Sequence, residues 1–295
     1  MGPLLFLIFI NDLPDNLNCK TRLFADDCIV YNTIKDANSA KLLQDDLDSL
    51  ATWEKTWGME FHPQKCSVLS VTRSRSPFNF RYKLKGHTLE STDSSKYLGI
   101  NLSSNLTWKL HIDKMTKKAN SVLGFLRRNL HHASSETKAN AYITLVRPHL
   151  EYCSTVWNPY HQDDIYKIEM VQRRAARFAT NRYHNTSSVT SMLHDLGWYT
   201  LERRRNHQQL IFLYKIINGH VEIEPSNYLT PSYSKTRANH SQKFMHISAS
   251  KDYYKNSFFP RTIPSWNSLP QNVAEASTLL KFKKELSTFA SFNKI

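Results

Sequence analysis

The chain has 295 residues, carries 39 Lys and Arg against 25 Asp and Glu for a formal net charge of +14, and is 40% hydrophobic and 12% aromatic. That length suits one large or two ordinary domains with cores of their own, and the apolar content excludes a disordered chain. Four scattered cysteines, with no Cys or His partner at zinc-ligand spacing, read as reduced thiols and argue against a disulfide framework or a zinc module.

The first predicted element is the apolar run 3–10, read as a helix packed under a sheet. Asn11-Asp12 end it far short of the roughly 20 residues a membrane span needs. Without a basic leader it also makes a poor secretory signal. The run Leu23-Phe24-Ala25-Asp26-Asp27-Cys28-Ile29-Val30-Tyr31 predicts two strands meeting at an acidic turn, since its flanks are aromatic or branched. A helix opens at Asp36 to Ser39, and its Leu43, Leu47, Leu50, Trp53 and Trp57 recur at helical spacing. Pro63 blocks helix continuation, residues 65–71 read as a strand, 73–77 as a polar loop and 80–84 as an edge strand.

Beyond Leu98-Gly99 the chain turns helical, over 108–128, 135–146, 163–179 and 201–218, with Gly219 as the last stop. In the third of these, Ile165, Ile168, Gln172, Ala175 and Ala179 follow one face. Arg173, Arg174 and Arg177 lie elsewhere, facing either phosphates or plain solvent. The fourth opens on Arg203-Arg204-Arg205, positive charge at an unfavourable helix end, which suggests an external anion or a nearby acid. Residues 222–250 lack periodicity and read as a linker or extended loop, and 277–289 as a closing helix.

Charge is distributed unevenly. Residues 1–100 hold 12 Lys/Arg and 12 Asp/Glu, whereas 101–295 hold 27 against 13. A neutral part followed by a basic one fits chemistry first and a phosphate-backbone grip second, although basicity alone serves solubility equally. Of three Asp-Asp pairs, Asp45-Asp46 and Asp163-Asp164 lie in polar, helix-like sequence and read as solvated faces. Only Asp26-Asp27 is framed by apolar residues on both sides. Two such close charges repel, and a hard divalent cation with its preference for oxygen ligands resolves the conflict.

Phe24-Ala25-Asp26-Asp27 resembles the metal-binding hairpin of reverse transcriptases, in the variant of non-LTR (LINE-type, jockey-like) retrotransposons. The neighbours resemble that family in order. Gly2-Pro3-Leu4-Leu5-Phe6 through Ile10-Asn11-Asp12-Leu13-Pro14 is similar to the segment preceding the hairpin, and Phe61-His62-Pro63-Gln64-Lys65-Cys66 to the lysine-bearing motif after it. Tyr97-Leu98-Gly99-Ile100 looks like the primer-grip hairpin. Tyr152-Cys153-Ser154-Thr155-Val156-Trp157-Asn158 and Gln172-Arg173-Arg174-Ala175-Ala176-Arg177 resemble the thumb side. Ser257-Phe258-Phe259-Pro260-Arg261 and Trp266-Asn267-Ser268-Leu269-Pro270 resemble the carboxyl-terminal tail.

The resemblance implies an α+β fold. A partial polymerase palm, an antiparallel sheet with packed helices, is expected over 1–100. A thumb-like helical region should follow over 101–180, and a basic helical and loop region over 181–295. It implies Asp26 as a principal Mg²⁺ or Mn²⁺ ligand with Asp27 beside it, and Lys65 near the departing pyrophosphate. Tyr97, Leu98 and Gly99 are expected at the primer end, and Arg173, Arg174 and Arg177 on the nucleic-acid backbone. The implied partners are an RNA template, a DNA primer and deoxynucleoside triphosphates, with no membrane, in cytoplasm or nucleus.

In that family the fingers and a first palm strand, bearing a further aspartate, precede the Gly-Pro-Leu segment, where Met1 stands here. The expectation is therefore a chain truncated on its N-terminal side and inactive alone, because two carboxylates supply too few ligands for two-metal phosphoryl transfer. Two other readings stay open. One is a non-catalytic nucleic-acid-binding remnant, and the other a decayed product that folds poorly because sheet edge and core are exposed.

Overall fold

The computed structural model describes residues 1–232 and 240–289, and the chain forms two compact units, Met1–Thr107 and Trp108–Ile295. The first begins with α1 (Gly2–Ile10), apolar throughout, with Leu4, Leu5, Leu7 and Ile8 exposed and Ile10 buried. Phe6 and Phe9 pack with Ile10, Leu13, Leu50 and Trp53 in a small core. Against it lies the antiparallel hairpin of β1 (Lys20–Phe24) and β2 (Asp27–Tyr31), registered from Lys20↔Tyr31 to Phe24↔Asp27. Leu23, Cys28 and Val30 meet the core from this hairpin.

The helix α2 (Ala37–Trp57) opens with a capping box, in which Ser39 N donates to Asp36 Oδ1 at 2.8 Å and Asp36 N to Ser39 Oγ at 3.1 Å. It closes on Gly58 at φ +71, a left-handed conformation that suits glycine. Leu50 and Trp53 are buried as their spacing predicts, whereas Trp57 is exposed.

Asp46 overturns the solvated-face reading of its pair. It is fully buried and accepts hydrogen bonds from Asn18 N (2.9 Å), Asn18 Nδ2 (3.1 Å) and Cys19 N (2.7 Å). Burial pushes its carboxyl up, but these hydrogen bonds together outweigh it and hold the group below the ordinary carboxylate range. The face is the reason: Asp46, Leu50 and Trp53 stand at i, i+4 and i+7, so the acid shares the buried stripe.

Helix and strand are both present, as an α+β chain requires, but the strands do not form one antiparallel sheet. They make four two-stranded pieces among the described residues. Besides β1–β2, β3 (Ser67–Val68) runs parallel to β6 (Glu90–Ser91), β4 (Lys83–Leu84) pairs with β5 (His87–Thr88), and β7 (Ser94–Tyr97) with β8 (Ile100–Ser103). The strands expected over 65–71 and 80–84 are thus two residues each.

The second unit is built from α3 (Lys109–Asn129), α4 (Ser135–Ala141), α5 (Arg147–Glu151), α6 (Ser154–Trp157), α7 (Gln162–Thr180), α8 (Val189–Asp195), α9 (Leu201–Ile217), α10 (Asp252–Lys255), α11 (Phe258–Asn267), α12 (Gln271–Ala274) and α13 (Leu279–Thr288). A π-helical turn, Tyr142–Val146, joins α4 to α5 just ahead of Pro148, which has no N–H to donate. Helix α7 buries Ile165, Ile168, Gln172, Ala175 and Ala179 as spaced. Gln172 is satisfied there, taking the Tyr142 hydroxyl at 2.9 Å and donating to Tyr199 O at 2.9 Å.

A second core gathers Leu210, Leu213 and Tyr214 of α9, Ile263 and Trp266 of α11, and Phe282 and Leu286 of α13. The stretch 222–250 is not a free linker, since Leu229 and Phe244 enter this core. Asn267 brackets Phe244, accepting from its N at 3.0 Å and donating to its O at 2.7 Å. Trp266 Nε1 donates to Gln242 O at 2.7 Å. Irregular backbone held by tertiary hydrogen bonds leaves no periodic trace in sequence. Residues 233–239 of that stretch lie outside the described part. No helix among the described residues is long and apolar enough to cross a membrane.

Replacing Asp46 by Ala leaves the buried Cys19 N–H unpaired and removes the acceptor of the more exposed Asn18 N–H, and should cost about 1–3 kcal/mol of stability in urea unfolding. Because the folded carboxyl is held below its unfolded value of about 3.9, its contribution is complete above that pH and disappears as pH falls through the lower folded value. The variant should therefore show a flatter acid limb of stability than the wild type.

Candidate active-site hairpin

The closing pair Phe24↔Asp27 leaves Ala25-Asp26 as a two-residue loop, with Asp26 at the tip and Asp27 opening β2. Ala25 takes φ +51, a left-handed conformation that a Cβ disfavours, and tight hairpin closure imposes it. Both carboxylates are exposed, and so is the Phe24 ring beside them. The expected acidic turn is therefore present, with its side chains directed to solvent.

Two further segments stand next to it in the first unit. Cys28 turns inward, and burial first, then the neighbouring Cys66, pushes its thiol up to about 11. Cys66 directly follows Lys65, the last residue of the 3₁₀ turn Pro63–Lys65, so the lysine motif flanks β2. Lys65 itself is exposed. The second segment is the β7–β8 hairpin, closed by Tyr97↔Ile100 over Leu98-Gly99. Leu98 and Gly99 have φ +44 and +84, the double left-handed geometry of a type I′ turn. Tyr97 is half-buried; burial first, then the Asp27 carboxylate, raise its phenol above the ordinary range. The Asp27 carboxylate is thus near enough to act on the Tyr97 phenol, and Cys66, next to Lys65, on the Cys28 thiol.

The donor set is short for metal chemistry. Among the described residues no group of three or more His, Cys, Asp or Glu is arranged to hold an ion. Two adjacent exposed carboxylates do not by themselves fit a pair of divalent cations that each want near-octahedral oxygen ligands.

Arg173, Arg174 and Arg177 belong to the second unit, on α7. Arg174 is exposed and donates to Asn120 Oδ1 at 3.1 Å, while Arg173 and Arg177 are half-buried. The Arg203-Arg204-Arg205 run resolves toward internal partners. Arg204 pairs with both oxygens of Glu151, with Nη2–Oε2 at 3.0 Å, and Arg203 stacks on Tyr199 at 3.7 Å. Arg205 is fully buried and its Nε donates to Asn158 Oδ1 at 3.0 Å. Arg261 Nη1 donates to Asn158 O at 2.9 Å. The Trp157-Asn158 motif and the Phe-Phe-Pro-Arg motif, a hundred residues apart, therefore meet in one buried polar network. Spacing in the sequence offered no signal for that meeting.

Residues 1–102 match the family described as "Reverse transcriptase (RNA-dependent DNA polymerase)". The chain is 30% identical over 218 residues to the "Probable RNA-directed DNA polymerase from transposon BS" of Drosophila melanogaster, covering 69% of this chain and 24% of that one. It is 27% identical over 191 residues to the "RNA-directed DNA polymerase from mobile element jockey" of the same organism, covering 60% and 20%. No solved structure gives a significant match. The acidic hairpin, the lysine turn and the tyrosine hairpin thus sit in reverse transcriptase sequence. Its kind is that of jockey-like non-LTR retrotransposons. The chain spans between a fifth and a quarter of the length of these relatives.

The two hairpin loops should respond oppositely to single changes. Ala25→Gly relieves a left-handed alanine and should add about 0.5–1 kcal/mol of stability, whereas Gly99→Ala should remove about 1 kcal/mol. Chemical denaturation followed by tryptophan fluorescence checks both signs.

Proposed function

We propose that this chain supplies the acidic hairpin and primer-end hairpin of an RNA-directed DNA polymerase that copies mobile-element RNA into DNA. Its partners are then an RNA template, a DNA primer and deoxynucleoside triphosphates. The observation that carries this reading is the approach of the Asp27 carboxylate to Tyr97, and of Cys66 beside Lys65 to Cys28, within the matched residues 1–102. In this proposal Asp26, with Asp27 beside it, provides part of the ligand set for Mg²⁺ or Mn²⁺, and a further carboxylate from another segment or chain completes it. Lys65 offsets charge on the departing pyrophosphate. Tyr97, Leu98 and Gly99 shape the seat of the primer end, and Arg173, Arg174 and Arg177 hold backbone phosphates without sequence readout.

The excess of 27 basic over 13 acidic residues in 101–295 also supports a second reading, a module that grips RNA or DNA and does no chemistry.

Primer extension on an RNA template with Mg²⁺ or Mn²⁺ separates the two. The polymerase reading predicts no extension by this chain alone. Extension should appear once a reverse transcriptase segment bearing a further aspartate is joined ahead of it, and Asp26→Ala should return that to background. Extension that survives Asp26→Ala contradicts the role given to the turn. Salt-sensitive binding without extension in the joined protein selects the binding module.

A further inference from the structure

Within the second unit, α3, α4 and α7 border a cavity of about 630 Å³ whose lining includes Arg127, Arg128, His131, Lys138, Asn181 and Tyr183, with no carboxylate among the described residues. Its floor is unusual. Lys138 is 1% exposed, yet among the described residues its Nζ has a single hydrogen bond, to Asn181 Oδ1 at 2.9 Å, and otherwise lies 5.4 Å from the centre of the Phe178 ring. An ammonium carries three N–H donors, and burying one without a carboxylate is costly. Asn181 ends α7 in a left-handed conformation, φ +53.

Above Lys138 the charge is of one sign. The Arg128 guanidinium lies against Gly124, its Nη1 at ordinary contact distance, 3.6 Å, from where a Cβ would stand. Arg127 lies over the Tyr183 ring at 5.9 Å. None of Arg127, Arg128 and Lys138 has an acidic partner among the described residues. Asp195, on the helix that follows Tyr183, is engaged elsewhere, paired to Arg182 at 2.7 Å. Glu136, two residues before Lys138, is exposed and does not line the cavity.

We propose that this cavity binds a phosphate group, with Lys138 as a buried point charge beneath it and Arg127 and Arg128 as fork-shaped donors around it. Such donors match the tetrahedral oxygens of a phosphate, and the anion supplies the counter-charge that Lys138 lacks. The source assigned is a phosphodiester of a nucleic-acid strand. That source rests on the function proposed above, whereas the phosphate chemistry does not. The grip of the helical unit then centres on Arg127, Arg128 and Lys138, in addition to Arg173, Arg174 and Arg177.

The test titrates a fluorescein-labelled single-stranded oligonucleotide into the full chain at several salt concentrations, and separately follows Tm with inorganic phosphate added. Lys138→Met and the double variant Arg127→Gln/Arg128→Gln should each bind the oligonucleotide about 5–10-fold more weakly. The double variant should also lower the slope of log affinity against log salt by about 1. Inorganic phosphate should compete with the oligonucleotide and raise the Tm of the wild type more than that of either variant. The double variant alters exposed side chains, so it decides the matter if Lys138→Met does not fold. A phosphate-dependent rise in Tm confined to the wild type, with no oligonucleotide binding, supports the phosphate site and removes the nucleic-acid source. Oligonucleotide binding unchanged in the double variant, with no phosphate effect on Tm, overturns the site and leaves the polymerase reading standing.

Discussion

The position of the acidic turn depends on a carboxylate that does no chemistry. Asp46, buried on α2, holds the N–H groups of Asn18 and Cys19, the two residues that lead into β1. Once that entry is fixed, the register from Lys20↔Tyr31 to Phe24↔Asp27 follows, because a slip of one residue would turn Leu23, Cys28 and Val30 away from their core. Asp26 and Asp27 are therefore exposed at the tip by construction, and the left-handed Ala25 is the local strain that this closure imposes.

The same logic joins the other parts of the candidate site. Cys28 faces inward, and Cys66, next to the Lys65 turn, is near enough to act on its thiol. Asp27 faces outward and bears on the Tyr97 phenol, which brings the second tight hairpin to the same place. Alternating directions along one short strand thus gather two sequence motifs that lie roughly 40 and 70 residues further on. In the second unit the motif residues serve packing more than exposure. Trp157 and Trp266 are fully buried, and Arg205 and Arg261 both bond to Asn158.

Much of this was legible in the chain, and the exceptions share a cause. The hairpin at Asp26, the start of α2 at Asp36 and the buried face of α7 each rest on local signals: alternation, a capping residue and helical spacing. Asp46 is an exception because its polarity masks its place on the Leu50–Trp53 stripe. The strand over 65–71 shrank to two residues because only Ser67 and Val68 find a partner. Leu229, Phe244 and Lys138 are fixed by distant contacts, and residues of that sort carry no periodic signature. The charge misfit of the Arg203–Arg205 run is visible in the sequence. Its remedy, Glu151 and Asn158, lies about fifty residues away in sequence and is visible only in the fold.

The central claim is that the Asp26–Asp27 turn is the place where this chain meets a divalent cation. Manganese broadening of backbone amide resonances, recorded on the isotopically labelled chain, tests it most directly, because a weak and incomplete site still relaxes the nuclei around it. The account predicts that Ala25, Asp26, Asp27 and Cys28 lose intensity at lower Mn²⁺ than any other residues. Earlier loss at Asp163 and Asp164, the solvated acidic pair that opens α7, or no loss at the turn, would contradict it.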